Sequence, residues 1–279
     1  MRILVTGARG QLGRELVETL GDHDVTGLAR DRLDVADRDA VLEALVSLRP
    51  DVVVHTASWT DVDGCEGDPD RAWLVNALGT RHVAHGARLA GATLCYISTD
   101  YVFAGDADRP YTEWDEPDPK SVYGRSKLGG ERELGAGDMI VRTSWLCGRY
   151  GRNFVKTMLR LAGEREDITV VDDQHGCPTF ADDLAAMIAS MVSSRFTGMF
   201  HVTNQGPTTW FDLARATLVA GGFDPARVRP ISSADLDPPR PAPRPAWSVL
   251  DNTALRLSGV PLLPDHRESL ERLVKQVQQ

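Results

Sequence analysis

Ile3-Leu4-Val5-Thr6-Gly7-Ala8-Arg9-Gly10-Gln11-Leu12-Gly13 opens the chain and decides how the rest is read. Four apolar or β-branched residues with no polar face predict a parallel strand buried on both sides. Leu12, Leu16 and Leu20 then recur at one-turn spacing, the stripe of a helix that begins where the glycines end. Gly7 permits a tight turn, Gly10 lets the backbone approach a pyrophosphate, and Gly13 lets helix and strand pack closely. The helix start offers unpaired N–H groups and the positive end of its dipole to phosphates. Strand, turn and helix form the first half of a dinucleotide-binding βαβ unit, with Arg9, Gln11 and Leu12 beside the cofactor.

Composition sets the outer limits. The 279 residues allow one large α/β domain or one and a half, and 42% hydrophobic with 25% charged residues is ordinary for a globular chain. A net charge of −9 argues against nucleic acid as a partner. No apolar run reaches membrane length, and Arg14, Glu15 and Glu18 keep the first helix from being a secretory segment, so a cytoplasmic location is expected. Cys65, Cys95, Cys147 and Cys177 form no C-x-x-C pair and are expected to be reduced structural thiols. His55, His82 and His85 fall in a strand end and a helix, where packing or exposure outweighs metal binding, and no metal is expected.

The second strand, Asp24–Leu28, should end at the adenosine ribose. An NAD site places a carboxylate there. Here Arg30 follows, with Arg9 in the glycine turn nearby, which suits a 2′-phosphate and favours NADPH. Two solvent-facing arginines, with Asp31 serving NADH, is the alternative. Asp37 caps a helix ended by Pro50, Asp51–His55 is a third buried strand, and Ala57-Ser58-Trp59 follows at its carboxyl end. Asp68-Pro69 starts a long helix through about Ala90.

The fourth strand, Ala92–Ser98, delivers Thr99 to the same edge. Tyr123 and Lys127 then stand at i and i+4 on a helix continuing to Leu134, one turn apart on one face. An ammonium near a phenol favours its ionised form and should draw the tyrosine below its usual 10 or so. Such a phenol gives a proton to a carbonyl oxygen as hydride reaches carbon, and the Thr99 hydroxyl holds the same oxygen. Alone, Y-x-x-x-K means two surface residues. After a glycine-rich turn and a Ser-Thr-Asp strand end, coincidence is a poor explanation.

Thr6–Gly13, with its G-x-x-G-x-x-G spacing, Val62-Asp63 with Glu66, Asn76-Ala77, Ser98–Phe103, Tyr123-Gly124 with Ser126-Lys127, Arg142–Trp145, Asp173–Thr179 and Arg244–Asp251 together resemble the extended short-chain dehydrogenase/reductase family. Within it the chain resembles the dTDP-4-dehydrorhamnose reductase family almost from end to end. The resemblance implies a Rossmann-type doubly wound parallel sheet with a smaller C-terminal α/β substrate lobe. It implies Thr99, Tyr123 and Lys127 as the catalytic triad, with Tyr123 as general acid and Lys127 on the nicotinamide ribose. It implies Asp34 and Val35 at adenine, Ala57, Ser58 and Trp59 along the cofactor path, and Val62, Asp100, Tyr101 and Trp145 around the sugar. The implied reaction is NADPH-dependent reduction at C4 of a dTDP-4-keto-6-deoxyhexose. Trp59 and Cys147 stand where tyrosine is common, which bears on the choice of sugar. Glu15 matches one position of a magnesium site at a subunit contact in some members, without identifiable partners.

Residues 1–150 are expected to form the NADP-binding domain and 151–279 mainly the substrate lobe, with some segments returning to the first domain; a homodimer is allowed for. Asp237–Pro245, with its five prolines, cannot be helix or central strand. It is either an exposed linker or a stiff loop placing Arg240 or Arg244 over the substrate diphosphate. The last helix, 267–277, carries Leu270, Leu273 and Val277 on one stripe, for the lobe or a partner subunit. Two other readings compete. A dehydratase of the superfamily needs Thr-Asp-Glu, but here the triplet is Thr99-Asp100-Tyr101; an epimerase shares the scaffold. A non-catalytic regulatory subunit would have no use for the Tyr123/Lys127 pair.

Overall fold

The computed structural model describes residues 1–278. The first half alternates strand and helix: β1 (Arg2–Thr6), α1 (Gln11–Thr19), β2 (Asp24–Leu28), α2 (Arg38–Leu48), β3 (Val52–His55), then α3 (Val62–Gly67). The long run from Pro69 is continuous but not uniform. It passes from α4 (Pro69–Ala72) through a π-helical Trp73–Leu78 into α5 (Gly79–Ala90). β4 (Thr93–Thr99), α6 (Val122–Glu131), β5 (Met139–Thr143) and β6 (Leu146–Cys147) follow. The second half holds α7 (Phe154–Glu164), β7 (Ile168–Val171), β8 (His175–Gly176), β9 (Thr179–Phe180) and α8 (Ala181–Ser193). It ends with β10 (Gly198–His201), β11 (Thr208–Thr209), α9 (Trp210–Ala220), β12 (Val228–Ile231), α10 (Thr253–Leu257) and α11 (His266–Gln278).

The main sheet has six strands in the order β10-β5-β4-β3-β1-β2, every pair parallel. Its strands read as unbroken apolar runs because both faces are covered. Ile3, Val5 and Val54 point to the α1/α8 side, where Leu12, Leu16, Leu184 and Ile188 meet them. Leu4 and Val53 point the other way, onto Val41, Leu45, Val83 and Ala87 of α2 and α5. The chain runs from β1 outward to β2, then returns to the far side of β1 as β3. That reversal opens a crevice at the carboxyl ends of β1 and β3, the place where such sheets bind ligands.

The second half does not stay apart. β10 pairs with β5 at the edge of the main sheet and α8 packs on α1, so both belong structurally to the first unit. What remains as a lobe is α7, α9 and α11 with the two-stranded pair β7–β12, around Met158, Ala214, Leu218, Leu213 and Leu270. The stripe of α11 packs inside this lobe: Leu270, Leu273 and Val274 are buried with Phe180 and Leu213. The proline run is pinned as well, with Ala242 buried and Pro245 lying against Gly105. All four cysteines are buried free thiols. Among the described residues no helix is long and apolar enough to cross a membrane.

Candidate active site

The glycine turn has the conformation its sequence demands. Gly7 sits at φ +69°, where a Cβ would come within 2.7 Å of the Ala57 amide nitrogen. A Cβ on Gly13 would lie 2.8 Å from Ala8 Cα and closer still to the Gly7 carbonyl oxygen. Gly10 takes the N-cap position of α1 with no side-chain cap, so the first N–H groups of the helix face the crevice unpaired.

Two cavities meet at Arg9 and Gly10. The smaller, about 280 Å³, is walled by Gly7, Arg30, Asp34, Val35, Ala57, Ser58 and Trp59, with Arg71 stacked 4.2 Å over the Trp59 ring. Both rim arginines already have carboxylates: Arg9 pairs with Asp31 at 2.8 Å and Arg30 with Asp34 at 3.3 Å. These pairs are exposed and hold their partners weakly. Asn76, in the π-helical turn, accepts from Ser58 Oγ (2.9 Å) and the Trp59 amide (2.8 Å) and donates to Ser126 Oγ (3.0 Å). One amide thereby ties the strand-end loop to α6.

The larger cavity, about 570 Å³, runs from Gly10, Gln11, Leu12 and Gly13 past Val62, Thr99, Asp100, Tyr101, Tyr123 and Lys127 to Trp145. The sequence thus brings its glycine turn and its Tyr/Lys pair to one cleft. Ser121 caps α6 by accepting from the Gly124 amide, which sets where Tyr123 leaves the helix. The Tyr123 ring meets Tyr101 edge-on at 5.6 Å. Lys127 Nζ donates to the Ile97 carbonyl at 2.6 Å and lies 4.1 Å over the Tyr96 ring.

The electrostatics correct one expectation. Burial pushes the Tyr123 phenol above its ordinary value, against a Thr99 contribution that lowers it. The physical reason is burial, which outweighs any pull from the lysine, whose head donates to the Ile97 carbonyl. Burial in turn lowers Lys127 to about 7, opposed by Glu131. Asp100 is raised to about 6 by burial, and its Oδ2 is buried without a partner. His55, locked between Thr6 Oγ1 (2.6 Å) and Thr80 Oγ1 (3.2 Å), is lowered to about 3 by burial.

Several other residues fall differently from the sequence reading. Arg244 does not line the cleft; its guanidinium grips Asp63 at 2.8 and 2.9 Å, with Arg240 on the same carboxylate at 3.4 Å. Glu15, for which the sequence offered no metal partners, is nearly buried and paired with Arg149 at 2.9 Å. Among the described residues no three His, Cys, Asp or Glu side chains gather as a metal site. Trp210 was missed: it stacks 3.6 Å from Trp145 and closes the far wall of the cleft. Trp145 itself is held at φ +48°, and a Cβ on Gly176 would run into its indole. Thr209 caps α9 by accepting from the Asp212 amide at 3.0 Å, which sets where Trp210 leaves the helix.

The family described as RmlD substrate binding domain matches residues 1–279. The dTDP-4-dehydrorhamnose reductase of Streptomyces griseus is 45% identical over 280 residues, covering 96% of this chain and 91% of that protein. A probable dTDP-4,6-dihydroxy-2-methyloxan-3-one 4-ketoreductase of Streptomyces antibioticus is 44% identical, covering 97% of this chain and 93% of its own. The crystal structure of a Bacillus anthracis dTDP-4-dehydrorhamnose reductase in complex with NADP superposes with a TM-score of 0.95, at 40% identity and 99% coverage of both chains.

Proposed function

The chain belongs to the RmlD substrate binding domain family, and from that membership we propose that it reduces the C4 ketone of a dTDP-4-keto-6-deoxyhexose at the expense of NADPH. The observation that carries the reading is the single cleft lined by the α1 helix end on one side and by Thr99, Tyr123 and Lys127 on the other.

The residues present fit a dinucleotide. The Gly7–Gly13 turn leaves no room for side chains and the uncapped N–H groups of α1 suit the pyrophosphate. Asp34 and Val35 suit the adenine end, Ala57, Ser58 and Trp59 the path between, and Lys127 the nicotinamide ribose. Arg9 and Arg30, both more than two-thirds exposed, are free to exchange Asp31 and Asp34 for a 2′-phosphate, whose charge favours NADPH over NADH. When bound, the cofactor supplies the hydride.

Tyr123 then acts as general acid. Burial favours the neutral form and keeps the phenol protonated through neutral pH, the form needed to donate to the carbonyl oxygen as charge develops there. The Thr99 hydroxyl holds that oxygen in line, and the Lys127 ammonium one turn away favours negative charge developing in the cleft. Val62, Asp100, Tyr101 and Trp145 enclose the sugar. Arg244 would have to leave Asp63 to reach a diphosphate oxygen. Residues 1–150 with the returning α8 and β10 serve the cofactor, and the rest of 151–279 serves the sugar nucleotide. The glutamate an elimination would need is absent, because Tyr101 follows Thr99-Asp100.

Following NADPH absorbance with a dTDP-4-keto-6-deoxyhexose tests the proposal. A reductase consumes the cofactor in step with the sugar. An epimerase or dehydratase leaves cofactor unchanged while altering sugar, and a regulatory binding module changes neither; either result refutes the reading.

A further inference from the structure

One buried polar cluster outside the reaction touches the helix that carries it. Glu131 closes α6 with its carboxylate inside the protein. Oε1 accepts from Ser98 Oγ at 2.5 Å and Arg142 Nε at 2.8 Å, while Oε2 accepts from Arg142 Nη2 at 2.6 Å. Arg142 is fully buried, its guanidinium 5.1 Å from the Phe103 ring. Tyr123, Lys127 and Glu131 follow one another at intervals of four along one face of α6. They meet three consecutive residues of β4. Thr99 acts on the Tyr123 phenol, the Ile97 carbonyl accepts from Lys127, and Ser98 donates to Glu131. The Ser98–Glu131 bond is the third of three α6–β4 contacts whose other two involve the proposed active groups, and the Arg142 ion pair fixes it from β5.

Stability alone does not explain such an ion pair. Joining a strand to a helix with a fully buried ion pair gains little over well-packed apolar residues of the same volume. We propose that Glu131, clamped between Ser98 and Arg142, is a positioning residue of the reduction that sets α6 against β4 and holds a carboxylate one helical turn from Lys127. The proposal rests on the reductase reading for its consequence in turnover, but not for the state of the lysine. Around Lys127 stand Tyr123 and Glu131 on its own helix, Tyr96 from β4, His55 from β3, Asp100 and Tyr101 from the turn after β4, and Arg142 from β5 beyond Glu131. Of these, Glu131 is the group that supports the ammonium against burial. His55 is neutral, disfavoured as a cation by burial and by the same lysine.

The test reads the lysine directly. Carbon-13 labelling at Cε gives signals for Lys120, Lys127, Lys156 and Lys275, and Lys127→Arg identifies the one from the cleft. In Glu131→Gln the Lys127 signal should titrate about one pH unit lower than in the parent, the low end of what a nearby opposite charge contributes. With NADPH and the keto sugar, the alkaline limb of kcat should move down by the same amount, about a ten-fold deficit above the midpoint. The charge-neutral Glu131→Gln/Arg142→Gln variant keeps hydrogen-bonding shape without stranding a buried arginine, and should shift both readouts the same way by less. A parental lysine titration in folded Glu131→Gln overturns the proposal; if that variant does not fold, the double variant decides by the same criterion. A parent that titrates as expected but never consumes NADPH with the sugar refutes the reductase reading instead.

Discussion

Replacing Tyr123 by Phe removes one oxygen and leaves everything that ring touches in place. The ring packs among Cys65, Ala72 and Val122 with Trp59, Val62 and Tyr101 at its edge, contacts that phenylalanine keeps. The lost hydroxyl interacts with Thr99 in a site only 8% exposed. A neutral hydrogen bond contributes about 0.5–1.5 kcal/mol, and removing the hydroxyl also removes the cost of burying it, so unfolding stability should change by less than about 1 kcal/mol. Catalysis should suffer far more. A positioned general acid contributes ~10²–10⁴-fold, which at 1.36 kcal/mol per decade is about 3–5 kcal/mol of barrier. The assay is steady-state NADPH oxidation with a dTDP-4-keto-6-deoxyhexose, alongside NADPH binding by fluorescence and a denaturant melt. We expect kcat to fall by at least two decades while cofactor affinity and the melt stay near the parent. Near-normal turnover would refute Tyr123 as the donor, and a collapse of cofactor binding would mean that the phenol is structural.

Gly13→Ala puts a methyl against the backbone of Gly7 and Ala8, where nothing flexible can yield; overpacking of this kind costs about 1–3 kcal/mol, and thermal unfolding with NADPH titration should show lower stability and weaker binding together. Arg9→Ala and Arg30→Ala each remove an exposed cation from the rim, so stability should hold while the preference for NADPH over NADH falls by about 10- to 150-fold, as a charged hydrogen bond of about 1.5–3 kcal/mol implies; an unchanged ratio of kcat/KM for the two cofactors would disprove their role. His55 and His201 are both held near 3 by burial, against about 6.5 in the unfolded chain. Between those values the unfolded state binds the extra protons, so their contribution is fully present above pH 6.5 and is lost as pH falls toward 3, by at most about 1.4 kcal/mol per unit for each histidine. Denaturant unfolding from pH 7 to 5 should therefore show a slope that His55→Asn reduces.

Much of this was legible in the sequence because each signal was local. Gly7 and Gly13 are dictated by steric limits of a few residues, the Asp37 cap by a side chain reaching its own helix, and the strand runs by burial on both faces. What sequence did not reveal depends on distant partners. Nothing in the spacing of Tyr123 and Lys127 says that the lysine head turns to Ile97, because periodicity fixes where a side chain starts and not where it ends. The Arg244–Asp63 pair joins residues far apart in the chain, and β10 enters the main sheet only because α8 carries the chain back across α1. The π-helical turn at Trp73–Leu78 has no pattern of its own, yet it aims Asn76 at Ser58, Trp59 and Ser126.

The most direct measurement uses NADPH deuterated at C4 of the nicotinamide, each face labelled in turn, with a dTDP-4-keto-6-deoxyhexose and the wild-type chain. The account predicts that label from one face alone arrives at C4 of the sugar, one deuterium per NADPH consumed, in a 4-hydroxy product. Deuterium that stays on the cofactor, or a sugar altered at another carbon without label, would contradict it.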